Sequence, residues 1–188
     1  KLIEVFKKLP GVGSKSAERF AFHLLDWPDE KLREMGGVIE SIRENLEKCA
    51  ECGCLIEKTC PFCAGERIQE ILCITASPKD VFSIEQTHEF RGLYHVLGGM
   101  LSPIQGLSLT PQAIEKLRER LIKLCVKEVI FALDSTLEGD ATALYLKKEL
   151  EQLAITTSRL ALGLPMGSSL DFIDGGTLAR ALAGRHAY

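Results

Sequence analysis

Four cysteines fall in two pairs, Cys49-x2-Cys52 and Cys60-x2-Cys63, with seven residues between the pairs. Each Cys-x2-Cys knuckle can grip one side of a tetrahedral ion, and four thiolates suit zinc. Four protein ligands leave no open position for water, so such a zinc would be structural. Redox cysteines or an iron–sulfur centre are the competing readings, and the paired spacing favours zinc. The short spacer predicts a compact two-knuckle module. Cys54 lies inside the cluster but breaks the paired spacing. Cys73 and Cys125 lie in or beside apolar stretches and are expected to be buried thiols.

A second candidate site lies near the start. Leu9-Pro10-Gly11-Val12-Gly13-Ser14-Lys15-Ser16-Ala17 joins two short amphipathic segments. Gly11 and Gly13 permit positive φ and leave backbone N–H groups uncovered at the start of the next helix. Such donors suit a phosphate oxygen. Lys15 and Arg19 lie four residues apart, on the side of that helix opposite Phe20 and Leu24, and can reach adjacent phosphates. The pattern resembles the helix-hairpin-helix motif of DNA repair proteins. Charge agrees with it. The formal net charge is −3, yet residues 1–25 hold five basic and two acidic side chains, leaving −6 on the remainder. A basic end on an acidic body is the asymmetry of a chain that turns one face to a polyanion.

The third cluster is acidic. Asp134-Ser-Thr-Leu-Glu138-Gly-Asp140 follows a strand pattern and precedes a helix pattern. Carboxylates at the C-terminal end of a strand can hold Mg²⁺, and they can equally complement a helix N-terminus. Gly163-Leu-Pro-Met-Gly167-Ser168-Ser169 lacks the lysine and spacing of a phosphate loop and reads as a turn. His23, His88, His95 and His186 are scattered and form no recognisable dyad.

These residues need elements to position them. Leu2, Ile3, Phe6 and Leu9 predict a helix over 2–9, and Ala17, Phe20, Ala21 and Leu24 predict a second. Pro28-Asp29 starts a third, with Met35, Ile39, Ile42 and Leu46 on one face. Beyond the cysteines the pattern changes. Ile71–Thr75, Leu93–Leu97, Val129–Leu133 and Ile155–Leu160 read as strands. Between them lie helix patterns beginning near Val81, at Thr110-Pro111 and near Asp140. The last of these runs to Leu153, and a short helix over Thr177–Ala183 closes the chain. Alternating strands and helices imply a doubly wound α/β domain. At 188 residues, 46% hydrophobic and 26% charged, the chain suits one full domain with small satellites. No apolar run approaches the ~20 residues of a membrane span, and Lys-Leu-Ile-Glu-Val-Phe-Lys-Lys is no signal peptide. With no initiator Met in the chain, a cytoplasmic protein lacking some N-terminal residues is expected.

Several segments together carry a family resemblance. They are Leu-Pro-Gly-Val-Gly-Ser-Lys-Ser-Ala-Glu-Arg at 9–19, the four paired cysteines, and Arg-Gly-Leu-Tyr-His-Val-Leu-Gly-Gly-Met-Leu-Ser-Pro at 91–103. Thr-Leu-Glu-Gly-Asp-Ala-Thr-Ala-Leu-Tyr at 136–145, Gly-Leu-Pro-Met-Gly at 163–167 and Thr-Leu-Ala-Arg-Ala-Leu-Ala-Gly-Arg at 177–185 follow in order. The whole arrangement resembles the RecR family of bacterial recombination mediators. The resemblance implies an α/β Toprim domain preceded by an all-α helix-hairpin-helix segment and a small four-cysteine zinc module. Its divisions would be residues 1–47 for the helix-hairpin-helix region, 48–66 for the zinc finger, 71–167 for the Toprim domain and 168–188 for the C-terminal region. It implies a homodimer or ring-like homotetramer. It also implies DNA binding and action with RecO, in some pathways RecF, to help load RecA onto single-stranded DNA. Glu138 and Asp140 would then dock a basic partner. One position departs from the pattern. Family members usually carry a Val-Glu pair shortly before a Pro, and here Ala76 stands at the glutamate position before Ser77-Pro78. In catalytic Toprim enzymes that glutamate joins the later carboxylates in metal-assisted chemistry. Its absence favours a non-enzymatic scaffold over the alternative, a Mg²⁺-dependent Toprim nuclease or primase.

Overall fold

The computed structural model describes residues 1–102, 109–161 and 163–185. Pro103, which ends one of the family-like segments, and His186 lie outside the described residues. The chain divides into two compact units, Lys1–Glu47 and Lys48–Tyr188.

The first unit is helical: α1 (Leu2–Phe6), α2 (Ser14–Leu25), α3 (Asp29–Glu40) and α4 (Ile42–Asn45). α1 is shorter than the apolar spacing predicts. Pro10 disfavours helical backbone at Leu9, and the chain leaves the helix through Lys8 N–H to Val5 O and Leu9 N–H to Phe6 O bonds. In α2 the buried stripe is Ala17 and Ala21, small enough for close helix approach. Phe20, expected on that stripe, is 39% exposed and meets the Phe6 ring edge-on at 6.1 Å. The third predicted helix breaks at Ser41. Its hydroxyl donates to the Gly37 carbonyl at 2.8 Å, competing with the helical ladder just after two helix-weakening glycines. Val38, Ile39, Ile42 and Leu46 are exposed.

At the boundary of the units, β1 (Glu47–Lys48) pairs with β2 (Leu55–Ile56) in a two-stranded sheet around the first cysteine knuckle. A four-stranded sheet follows, with β3 (Ile68–Thr75), β4 (Gly92–Val96), β5 (Glu128–Ala132) and β6 (Thr156–Arg159). Its order is β4-β3-β5-β6, and all three pairings are parallel. The intervening helices are α5 (Pro78–Glu85), α6 (Pro111–Lys123) and α7 (Leu137–Leu150), and α8 (Gly175–Ala183) ends the described chain. Thr110 caps α6, accepting the Ala113 N–H. α7 begins three residues before Asp140, because the Thr136 hydroxyl accepts the Gly139 N–H. Its predicted last turn, Glu151–Leu153, tightens to a 3-10 turn.

The sheet is buried on both faces, as a parallel sheet requires. Side chains alternate along each strand, so neighbouring residues serve different cores. Leu72, Ile74, Val129 and Phe131 pack with Ile114, Leu117 and Leu121 of α6 and Leu146 and Leu150 of α7. Cys73, Tyr94 and Val96 face the other way, against Val81 of α5, Phe62 and the buried cysteines 49, 52 and 54. The cysteine module is therefore part of the second core. Cys73 is buried as expected. Cys125 is exposed, because it sits at the turn after α6 with φ +52° and not in the strand that follows.

Candidate metal centre and nucleic-acid interface

Cys49, Cys52, Cys60 and Cys63 bring their Sγ atoms within 4.8 Å of one another. The Cys49–Cys63 and Cys52–Cys60 separations are 3.9 and 3.4 Å. A regular tetrahedron with metal–sulfur arms of about 2.3 Å has edges of about 3.8 Å, so the donor set fits one tetrahedral ion. Each knuckle is set by local backbone bonds. Gly53 N–H donates to the Cys49 carbonyl at 2.9 Å, and Ala64 N–H to the Cys60 carbonyl at 3.0 Å.

Charge inside the cluster is unevenly held. The Cys52 thiol is held below its ordinary range by hydrogen bonds from Cys54 and Cys63. Cys63 is pushed up by its bond to that sulfur, and Cys60 to about 11 chiefly by burial. One thiolate in the pocket thus opposes a second. Cys54 is wholly buried beside Cys52, and its carbonyl accepts the Cys49 N–H at 2.8 Å.

The wall around the cysteines is aromatic and cationic. Phe62, between the last two ligands in sequence, meets Tyr94 and Phe82 edge-on at 5.8 and 5.6 Å. The Arg67 guanidinium lies 5.7 Å from the Phe62 ring and 5.5 Å from the Tyr94 ring. It donates to both Glu85 carboxylate oxygens, at 3.0 and 2.7 Å. Tyr94 donates its hydroxyl to the same carboxylate at 2.7 Å. Sequence reading missed Arg67, whose partners Glu85 and Tyr94 are 18 and 27 residues away. It also missed Arg120, although a charged residue beside Leu121, three positions after Leu117, was a visible break in the α6 stripe.

In the first unit, Gly11 has φ +78°, which turns the chain between α1 and α2. Val12 N–H closes the turn onto the Leu9 carbonyl. Gly13 differs from expectation. It is the N-cap of α2 with φ −79°, and its use is the absence of a side chain over the helix start. The first N–H bonded within the helix is that of Ala17, to the Gly13 carbonyl, and no side chain caps the end. The N–H groups of Ser14, Lys15 and Ser16 are thus left for an external acceptor. Lys15 and Arg19 are both exposed, and among the described residues neither has an ion-pair partner. Arg19 lies 5.6 Å from the Phe20 ring centroid.

The acidic cluster does not converge. Asp134 is exposed beyond β5, and Glu138 is half-buried in the first turn of α7. Asp140 pairs with Arg159 of β6 and, at 3.3 Å, with Arg180 of α8. The Arg159 bond holds its carboxyl below the usual carboxylate range. Gly139 lets this turn sit on the end of β5, since a Cβ there would stand 2.0 Å from the Asp134 carbonyl oxygen. Ala76, at the end of β3, packs its methyl on the first core. Among the described residues the cysteines are the one group of three or more metal-type ligands brought together. Asp140 is already engaged by two arginines, and among the described residues Asp134 and Glu138 are not gathered with it into a three-ligand group.

Comparison with known proteins sorts these parts. A family model described as RecR, helix-hairpin-helix matches residues 1–42, one described as Toprim domain matches 70–161, and one described as RecR, C-terminal matches 163–186. The Recombination protein RecR of Protochlamydia amoebophila (strain UWE25) is 58% identical over 190 residues, covering 100% of this chain and 96% of that protein. The chain belongs to the RecR family. The RecR proteins of Chlamydia pneumoniae and Chlamydia abortus are 49% and 50% identical over 191 residues, with the same coverage. Within the RecR framework, the hairpin match contains the Gly11 turn, and the Toprim match spans most of the parallel sheet. The four cysteines fall between those two matched segments. No described helix is long and apolar enough to cross a membrane.

Proposed function

We propose that this RecR chain is a non-catalytic scaffold of recombinational repair, which binds DNA and helps RecO, and in some settings RecF, to load RecA onto coated single-stranded DNA. Full-length identity of 58% to a recombination protein carries the reading. Gly11, Gly13, Lys15 and Arg19 are its DNA contacts. Free amides at the start of α2 and two exposed cations beside them support phosphate binding without base readout. Zinc is the ion of the cysteine site, because four thiolates in a tetrahedral set with no open position are a structural zinc donor set. Bound zinc supplies the positive charge that lets four crowded sulfurs ionise together. The cysteines hold the module's fold, and the module in turn completes the second core of the sheet.

The Toprim end serves docking in this reading. Glu138 keeps a carboxylate for a basic partner, while Asp140 orders the turn through Arg159 and Arg180. The exposed apolar residues Leu2, Val5, Leu25, Val38, Ile39 and Ile42 support assembly of several copies, as a homodimer or ring-like homotetramer. Divisions at 1–47, 48–66, 71–167 and 168–188 describe its working parts, and the cytoplasm is its place of action.

The test is RecA filament assembly on single-stranded DNA covered by its binding protein, with RecO present. Adding this chain should shorten the lag, and the Lys15→Ala, Arg19→Ala variant should not. A chain that leaves the lag unchanged while cleaving or copying DNA with Mg²⁺ would support the Toprim enzyme instead.

A further inference from the structure

We propose that Arg120 is the charge-balancing outer partner of the four-thiolate centre, and that it ties metal loading to the edge of the parallel sheet. This rests on the zinc reading of the cysteine cluster. Arg120 belongs to α6, whose apolar residues pack on one face of the sheet. The cysteines pack on the other face. β4 is the edge strand between them, and its unpaired backbone groups need partners. Two are supplied at this edge. Val96 N–H donates to the carbonyl of Cys52 at 2.8 Å, and the Tyr94 carbonyl accepts from Arg120 Nη1 at 2.6 Å. The same Nη1 lies 3.2 Å from His95 Nδ1, and Nη2 donates to Cys63 Sγ at 3.7 Å.

The charge balance makes this a site. Arg120 is 5% exposed. A guanidinium stays charged in any protein environment, and burying it without a counter-charge is costly. Among the described residues no carboxylate pairs with it; its hydrogen-bond partners are a carbonyl, an imidazole nitrogen and a cysteine sulfur. Four thiolates around one divalent ion carry a net charge of −2, partly buried beside that guanidinium. Each is the other's counter-ion. A donor on the sulfur also withdraws electron density and fixes the ligand's direction, which is the work of an outer partner in a metal site. Arg67, the cation against the Phe62 and Tyr94 rings, is already satisfied by Glu85.

The test uses the full chain loaded with Co²⁺ or Zn²⁺. Wild type should give the absorption of tetrahedral four-thiolate cobalt; if it binds neither metal, the zinc reading fails and this proposal falls with it. In Arg120→Met the cobalt spectrum should remain tetrahedral, while its sulfur-to-metal charge-transfer band moves to lower energy. Zinc affinity against a chelator should fall by about 10–100-fold. An unchanged band and affinity in a folded variant would overturn the proposal and leave Arg120 as a strand-edge clamp. Should Arg120→Met not fold, Arg120→Gln decides. It keeps an N–H donor and loses the charge, so a charge-transfer band at lower energy and a weaker zinc affinity support the proposal, and wild-type values of both refute it.

Discussion

Replacing Lys15 and Arg19 by alanine tests the nucleic-acid interface at its two free cations. The residues are one helical turn apart, about 6 Å along α2, on an exposed face. If each neutralises one phosphate, the double variant lowers the salt slope of binding by about 1.4 on single strands and about 1.8 on duplex, per chain engaged. Raising salt from about 50 to about 200 mM should then cost wild type about 7-fold more affinity than the variant on single strands, and about 12-fold more on duplex. Several chains bound to one strand would multiply the difference. The fold should survive, since the buried stripe of α2 is Ala17 and Ala21 and among the described residues neither charge joins an ion pair. The assay is fluorescence anisotropy of a labelled oligonucleotide across salt, with circular dichroism and metal content as controls. A folded, metal-loaded double variant with wild-type affinity and slope would refute the interface.

Three further perturbations probe other parts. Cys60→Ala should release the metal and destabilise the second unit by at least about 3 kcal/mol, a melting shift of about 10 °C at this length, read by calorimetry beside elemental analysis. Gly139→Ala should destabilise by about 2 kcal/mol or more in urea titration, because its methyl would overlap the Asp134 carbonyl. His95 is buried beside Arg120, which together hold its pKa down to about 4 from an ordinary 6.5. Between those values the unfolded chain binds the extra proton, so stability falls as pH drops through that window, by up to about 1.4 kcal/mol per unit. His95→Gln should flatten that part of the slope, measured by denaturation between about pH 5 and about pH 6.5 with metal content followed.

The parts legible in sequence were those fixed by neighbours in the chain. Cys-x2-Cys knuckles are local devices, so their spacing alone announced the cluster. Thr110-Pro111 announced α6, and Ile114, Leu117 and Leu121 are all buried on it as the spacing implied. The break after Glu40 was less visible, because it turns on one serine hydroxyl reaching back to Gly37. Cys125 was misread because an apolar context says nothing about a left-handed turn residue. The long-range pairings were out of reach. Asp140 reads as a free carboxylate in its own segment, and only the topology brings Arg159 and Arg180 to it. Arg120 likewise gains meaning from β4 being an edge strand and from the cysteines lying across that edge.

The central claim is that this chain holds DNA without acting on it. The most direct measurement incubates the full, zinc-loaded protein with an end-labelled single-stranded oligonucleotide and Mg²⁺, then resolves both bound fraction and strand length over time. The account predicts a salt-sensitive complex whose strand keeps its length throughout. Steady Mg²⁺-dependent shortening or extension that vanishes in Glu138→Gln would contradict it.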